Sequence, residues 1–209
     1  MGGIQTRPTG ETSLAGLFAV GECACNGLNG AGRLAGNTLT ESVVFGKKVG
    51  EAAAAYAKSV AKKTFPGAKL AEDEKKLAAL VSGDSAQDSL AKVHAELGRL
   101  MTEKVGLVRD GAGLQEALDG IKKLQERHQR IKVRNAGKIY NYDLTTHLEL
   151  GSMLAVAEVV ARSAQARTES RGAHCRKDFP STDASTWNNH TIATLAPGSA
   201  RIDKQAVQN

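Results

Sequence analysis

The stretch that decides the fold reads Gly16-Leu-Phe-Ala-Val-Gly21-Glu22, then Gly27-Leu-Asn29-Gly30-Ala-Gly32-Arg33-Leu-Ala-Gly36-Asn37-Thr38-Leu39-Thr40-Glu41. An apolar run with glycine at both ends predicts a short buried strand over 16–21. A glycine-dense loop follows, from 27 to 36. Thr38 and Glu41 have the spacing of a capping box, which predicts a helix opening there and running through an alanine-rich stretch to near Lys62. Strand, glycine loop and helix N-terminus in succession bring backbone amides close to a ligand. Glu22, an acid just after the strand, suits ribose-like hydroxyls. Arg33, inside the loop, carries a fork of donors that matches the two oxygens of a carboxylate. By residue type alone, a glycine-rich loop with one arginine is also the composition of an ordinary turn.

Outward from this stretch the pattern becomes helical. Residues 63–86 hold Pro66, glycines and a charged patch from Glu72 to Lys76, and read as a linker with a short helix. From Ser89, Leu90, Val93, Leu97, Leu100 and Met101 recur at steps of three and four. Gly106 to Gly113 breaks the pattern, and Leu114, Leu118, Ile121, Leu124 and Ile131 make a second stripe. A third helix is predicted from Tyr142 to Arg167, with Leu144, Leu148, Leu150, Met153, Leu154 and Val160 apolar. Three amphipathic helices with short joints predict a small antiparallel bundle. His94 and His128 read as polar-face residues, not ligands. Residues 168–209 are basic and turn-rich, with Trp187 as one packed aromatic and a short strand or two. The expected class is α+β, mostly helical: one unit over 1–62, the linker 63–86, a three-helix bundle over 87–167 and an irregular or β segment over 168–209.

The 209 residues are 41% hydrophobic and 24% charged, which excludes disorder as the main state. Only 4% are aromatic, while alanine and leucine abound, a mixture that favours helices over a β-sandwich. The net charge of +6 comes from basic and acidic residues interleaved along helical stretches. That reads as solvated helix faces, not a nucleic-acid surface. It is compatible with attracting a small dianion. No apolar run approaches the roughly 18–20 residues that span a bilayer, and the best, Met153 to Ala161, is interrupted by Glu158. The first residues lack the apolar segment of a signal peptide. Cys23, Cys25 and Cys175 form no disulfide framework, and Cys23-x-Cys25 lacks the second pair of a zinc site. No metal site is expected, and the thiols are expected at least partly buried. There is no nucleophile elbow, HExxH or P-loop.

Several motifs in order make the chain recognisable. Met1-Gly-Gly-Ile4, Gly16-Leu-Phe-Ala-Val-Gly-Glu22, Gly30-Ala-Gly-Arg33-Leu-Ala-Gly-Asn37-Thr-Leu39 and Val43-Val-Phe-Gly46 come first. Met101-Thr-Glu-Lys-Val-Gly106, Arg109-Asp110, Glu169-Ser-Arg171-Gly-Ala-His174 with Arg176, Asp178 and Pro180, and Trp187 with His190-Thr191 follow. Together they resemble the flavoprotein subunits of succinate dehydrogenase and fumarate reductase, with much of the pattern shared by L-aspartate oxidase. The resemblance implies that residues 1–62 are the C-terminal part of an FAD-binding domain. It implies that Glu22 binds FAD hydroxyls, that Thr38 and Leu39 lie at the helix start beside the flavin, and that Arg33 grips a substrate carboxylate. It places no catalytic residue in this chain: the proton-shuttling arginine, the nucleotide-binding glycine motif and the capping domain precede Met1 in the family. The implied reaction interconverts succinate and fumarate by hydride transfer to or from FAD. The implied partners are the N-terminal part of the flavoprotein, an iron–sulfur subunit that carries clusters, a membrane anchor subunit and quinone. The location implied is peripheral, on the inner face of an energy-transducing membrane. The chain alone is expected to be inactive. An L-aspartate oxidase fragment and a non-catalytic binding or assembly module stand as alternatives. The family's His-Gly-Ala-Asn-Arg is here Asn29-Gly-Ala-Gly32-Arg33, and its usual serine is Thr38.

Overall fold

Val49, buried on a long helix, can pack where it does only because residue 10 has no side chain. Gly10 has φ of 82°, and a Cβ there would lie 2.4 Å from both Val49 methyls. This contact lies in the first of two compact units, residues 1–65 and 66–209. The computed structural model describes residues 2–207 apart from 63, 65, 82–87, 138, 197 and 198, so residues 63, 65 and 82–86 of the expected linker lie outside the described residues.

In the first unit, β1 (Ile4–Gln5) pairs in parallel with β2 (Ala24–Cys25). A single 3₁₀ turn, Gly21–Cys23, leads into β2. The strand expected over 16–21 does not form. Gly16 and Gly21 adopt φ of 86° and 79°, so the backbone is turned at both ends of the run. Only Phe18 bridges, antiparallel to Glu11, while Ala19 N–H donates to Gly10 O at 2.9 Å. α1 runs Asn37–Ser59. Phe18 meets its Tyr56 edge to face, with centroids 5.8 Å apart. Cys23 and Cys175 are exposed, against the expectation of at least partly buried thiols, while Cys25 is half-buried.

In the second unit, α2 (Gly67–Val81) is longer than the short helix expected; none of its described residues is fully buried. It is tied by Lys132 Nζ to Ala79 O and by Val133 N–H to Leu80 O, both at 2.9 Å. α3 (Leu90–Val105) is capped by Ser89, whose hydroxyl accepts from Lys92 N–H. β3 (Val108–Arg109) leads to α4 (Gly111–Arg130), capped by Asp110, and α5 (Tyr142–Ala166) is capped by Asn141. These caps satisfy helix amides that would otherwise lack partners.

α3, α4 and α5 pack together as the expected three-helix core. Val93 and Leu97 meet Leu114, Ala117, Ile121 and Leu124, and Leu150, Leu154, Ala157, Ala161 and Ala164. The expected stripe on α5 is only partly right. Leu148, Met153 and Val160 face outward, and small alanines take the inner positions. α5 carries apolar residues on two sides, so periodicity alone could not choose between them. By length and composition it is long and apolar enough to cross a membrane. One side of it is packed in the bundle core, and Glu149 and Glu158 interrupt its apolar run. His128 is not a free polar-face residue either. It stacks on the buried His147, centroids 4.2 Å apart, and its Nε2 lies 2.9 Å from His147 O.

β4 (Cys175–Arg176) pairs in parallel with β3, α6 (Ala184–Trp187) follows, and β5 (Asn189–Ala196) and β6 (Ser199–Ala206) form an antiparallel hairpin. Trp187 is buried, with its Nε1 donating to Thr168 Oγ1 and Lys204 Nζ 3.5 Å above its ring. The centre of this region is Glu169, which has no exposed surface. It accepts from Arg167, from Arg171 and from Asp183 N–H.

Two outcomes test this architecture. Ile121→Ala should cost about 2–5 kcal/mol of unfolding free energy, read as a lower urea midpoint with an unchanged slope. The second concerns acid. Burial works to raise the Glu169 carboxyl, but hydrogen bonds from Arg171, the Asp183 amide and Arg167 outweigh it and bring the group down to about 2. A depressed carboxyl contributes stability that is fully present above its ordinary value of 4.5 and lost as pH falls through about 2. Unfolding followed by the fluorescence of Trp187, the chain's single tryptophan, should show that loss across the window. Glu169→Gln should be less stable at pH 7 and flatter across the same window.

Candidate functional site

Successive tight turns carry the chain from β2 into α1. Asn26 Oδ1 accepts from Leu28 N–H at 2.9 Å, Gly30 N–H donates to Gly27 O, and Asn37 N–H donates to Leu34 O. The winding returns the side chains of Asn29 and Arg33 over the first turns of α1. There they meet Glu41, whose side chain is only 4% exposed. Asn29 Nδ2 donates to Glu41 Oε2 at 2.6 Å, and Arg33 Nη2 donates to the same oxygen at 3.0 Å. Asn37 Nδ2 holds Asn29 Oδ1 at 2.7 Å. Arg33 Nη1 donates to Thr38 Oγ1 at 2.9 Å and lies 4.0 Å from Glu22 Oε1.

This is not the capping box expected from Thr38 and Glu41. The residue before α1 is Gly36, at φ of 81°, which has no side chain with which to cap. Thr38 lies inside the helix, and its hydroxyl serves Arg33. Glu41 turns toward the loop. Glu41 and Asn37 are the residues that sequence reasoning missed. The available signal was their separation of four within one helix, which puts both on the face that receives Asn29.

Of the residues expected to form a site, Arg33, Thr38 and Glu22 are brought together, with Arg33 between the other two. Leu39 lies one residue beyond Thr38 and is 72% exposed. Leu34 and Leu28 are exposed nearby along the chain, so an apolar surface borders the polar cluster. Arg33 Nε is buried with no hydrogen-bond partner. A buried donor without an acceptor is costly and calls for a ligand or water. Asn37 N–H is taken by Leu34 O, but no side chain caps α1, so the positive end of the helix dipole is left without a capping group.

The donor set therefore fits two kinds of group: a carboxylate at Arg33, and a planar ring with an electron-rich edge at the α1 N-terminus and a face on Leu39. FAD offers such a ring, and exposed Glu22 is free to accept from its hydroxyls. No cluster of histidine, cysteine and acidic side chains able to hold a metal occurs among the described residues.

The basic C-terminal residues do different work within their own unit. Arg176 Nη1 donates to the carbonyls of Ala164, Gln165 and Arg167 at the end of α5, while its Nε and Nη2 grip Asp178. Asp178 in turn accepts from Gly111 N–H at the start of α4. His174 Nε2 lies 3.1 Å from Arg167 O, and burial holds its pKa below the ordinary value.

The chain was compared with known proteins. Residues 94–209 match the family model described as fumarate reductase flavoprotein C-term, and residues 1–39 match an FAD binding domain. The fumarate reductase flavoprotein subunit of Haemophilus influenzae is 40% identical over all of the chain, which covers 35% of that relative. A mutant Escherichia coli quinol fumarate reductase superposes with a TM-score of 0.92 at 39% identity, over 98% of this chain and 36% of that one. Mycobacterium smegmatis Sdh1 superposes with a TM-score of 0.89 at 32% identity, over 99% of this chain and 35% of that one. The chain spans about a third of the length of the relatives it matches.

Proposed function

The chain belongs to the fumarate reductase flavoprotein C-terminal family, and from that premise we propose that it forms part of an FAD-dependent subunit interconverting fumarate and succinate. The observation that carries the proposal is Arg33: a guanidinium fixed by Glu41 and Thr38, with a buried donor left over, beside an uncapped helix N-terminus. In this reading Arg33 binds one carboxylate of a four-carbon dicarboxylate and holds the molecule in one orientation. Orientation matters because the carbon that gives or receives hydride must sit in near contact with its partner atom. When bound, FAD supplies the hydride acceptor or donor. The α1 N-terminus supplies the positive dipole end that favours negative charge on the ring edge, with the Thr38 and Leu39 backbone facing it. Glu22 accepts from FAD hydroxyls, and Leu39 excludes water from one face of the ring. The proton that accompanies the hydride is delivered by a residue outside these 209.

Within the larger protein, residues 1–62 complete the FAD-binding domain, 87–167 form the helical domain and 168–209 a C-terminal segment. An iron–sulfur subunit, a membrane anchor and quinone carry the electrons on or bring them in. The assembly sits peripherally on an energy-transducing membrane. The naming of relatives as quinol fumarate reductase supports this part of the reading.

Arg33→Ala in the flavin-loaded subunit tests the substrate role. Losing a carboxylate-paired arginine costs about 2–5 kcal/mol, so kcat/KM for fumarate should fall by about 30- to 5,000-fold. Bound flavin, read from its visible absorbance, should stay near the parent level. Parental kcat/KM in this variant would remove Arg33 from the site.

A further inference from the structure

Glu41 is a carboxylate buried in the first unit to which neither substrate nor flavin binding assigns a role. Through one oxygen, Oε2, it accepts from two side chains that arrive from the loop, Asn29 at 2.6 Å and Arg33 at 3.0 Å. Asn37, one helical turn before Glu41, holds the other end of the Asn29 amide. Two donors converging on one acceptor fix each other. Arg33 cannot change rotamer without breaking a charge-assisted bond and leaving a buried carboxylate short of a partner. The backbone beneath Arg33 cannot supply that constraint. Its loop contains Gly30, Gly32 and Gly36, and a Cβ at Gly30 or Gly36 would meet nothing within 4 Å. The position of the guanidinium is therefore set by side chains anchored on α1.

We propose that Glu41, with Asn29 as its brace, is the positioning residue for Arg33. It holds the Nη2 edge so that the guanidinium is already in place when a dicarboxylate arrives. The inference rests on the reading of Arg33 as the substrate grip. Glu41 touches Arg33 and acts through it. A fork held in place beforehand does not have to be ordered by the ligand, so the effect appears mainly in affinity.

The experiment uses the FAD-loaded flavoprotein and malonate, a dicarboxylate that cannot react, with affinity read by calorimetry. Fumarate KM and kcat are measured beside it. Glu41→Gln removes the charge, so Asn29 and Arg33 share one neutral amide oxygen in place of the charge-assisted acceptor. Malonate Kd and fumarate KM should each rise about tenfold, with kcat changed less than threefold and flavin content unchanged. Glu41→Asp keeps the charge but shortens the reach, and should fall between parent and Glu41→Gln. On an Arg33→Ala background, Glu41→Gln should add less than twofold, because there is nothing left to position.

A malonate Kd within threefold of the parent in Glu41→Gln overturns the role, and so does an effect of twofold or more on the Arg33→Ala background. If Glu41→Gln does not fold, Asn29→Ala decides: a rise of threefold or more supports the brace, and a smaller one overturns it. The underlying reading fails separately. If Arg33→Ala binds malonate as tightly as the parent, Arg33 is not the grip and the inference falls with it. If Arg33→Ala loses malonate while Glu41→Gln keeps it, only the positioning role is lost.

Discussion

A carboxylate taken out of water must be paired, and each unit of this chain is organised round one that is. Glu41 in the first unit and Glu169 in the second are both almost wholly removed from solvent. Removing a single partner from such a group costs about 3–5 kcal/mol, because the charge is then left uncompensated. That penalty is what gives a short, glycine-rich loop or an irregular C-terminal segment a single conformation. Neither has enough apolar surface of its own to be fixed by burial. In the first unit the partners are Asn29 and Arg33, so the loop closes on α1. In the second they are Arg167, Arg171 and the Asp183 amide, so the chain after α5 closes on itself.

The same logic extends to the helix ends. Arg176 places its positive charge on three carbonyls at the C-terminal, negative end of α5, and Asp178 places its negative charge on the N-terminal, positive end of α4. Each charge sits where the helix dipole favours it, and the two are paired with each other. This joins the C-terminal segment to the bundle through polar contacts. Cation–π contacts add to this at the buried Trp187, whose ring lies under Lys204 and Arg167.

How much of this could be read beforehand follows from which interactions are local. The apolar stripes of α3 and α4 are short-range signals, and they placed those helices to within a few residues, while the Ser89 and Asp110 caps went unread. The inner face of α5 was not legible, because a helix apolar on two sides has no unique moment and its neighbours make the choice. The strand over 16–21 was misread because the glycines that bound it were taken as punctuation, when their positive φ bends the run itself. The site was legible as a set of residue types in order, which is why Arg33, Thr38 and Glu22 were picked out together. Its internal wiring was not. Thr38 and Glu41 satisfy a local capping pattern, and only the return of the loop across twelve positions of sequence from Asn29 to Glu41 redirects the acid.

That redirection bears on the departure of this loop from the pattern it resembles. The pattern this loop resembles has histidine and asparagine where this chain has Asn29 and Gly32, so a ring is exchanged for an amide and position 32 has no side chain. Losing the side chain at position 32 of a glycine-rich loop should leave the arginine less constrained. Here Asn29 both donates and accepts, Nδ2 to Glu41 and Oδ1 from Asn37. A single amide thus links the loop to two positions one turn apart on the same helix face. Because both anchors belong to α1, whose 23 residues are set by helical geometry, the loop inherits the rigidity of the helix without a bulky side chain at position 32. The open space left at Gly30 then lies in a hollow that Arg33 also lines, the arrangement a site needs if a ligand is to approach backbone and charge together.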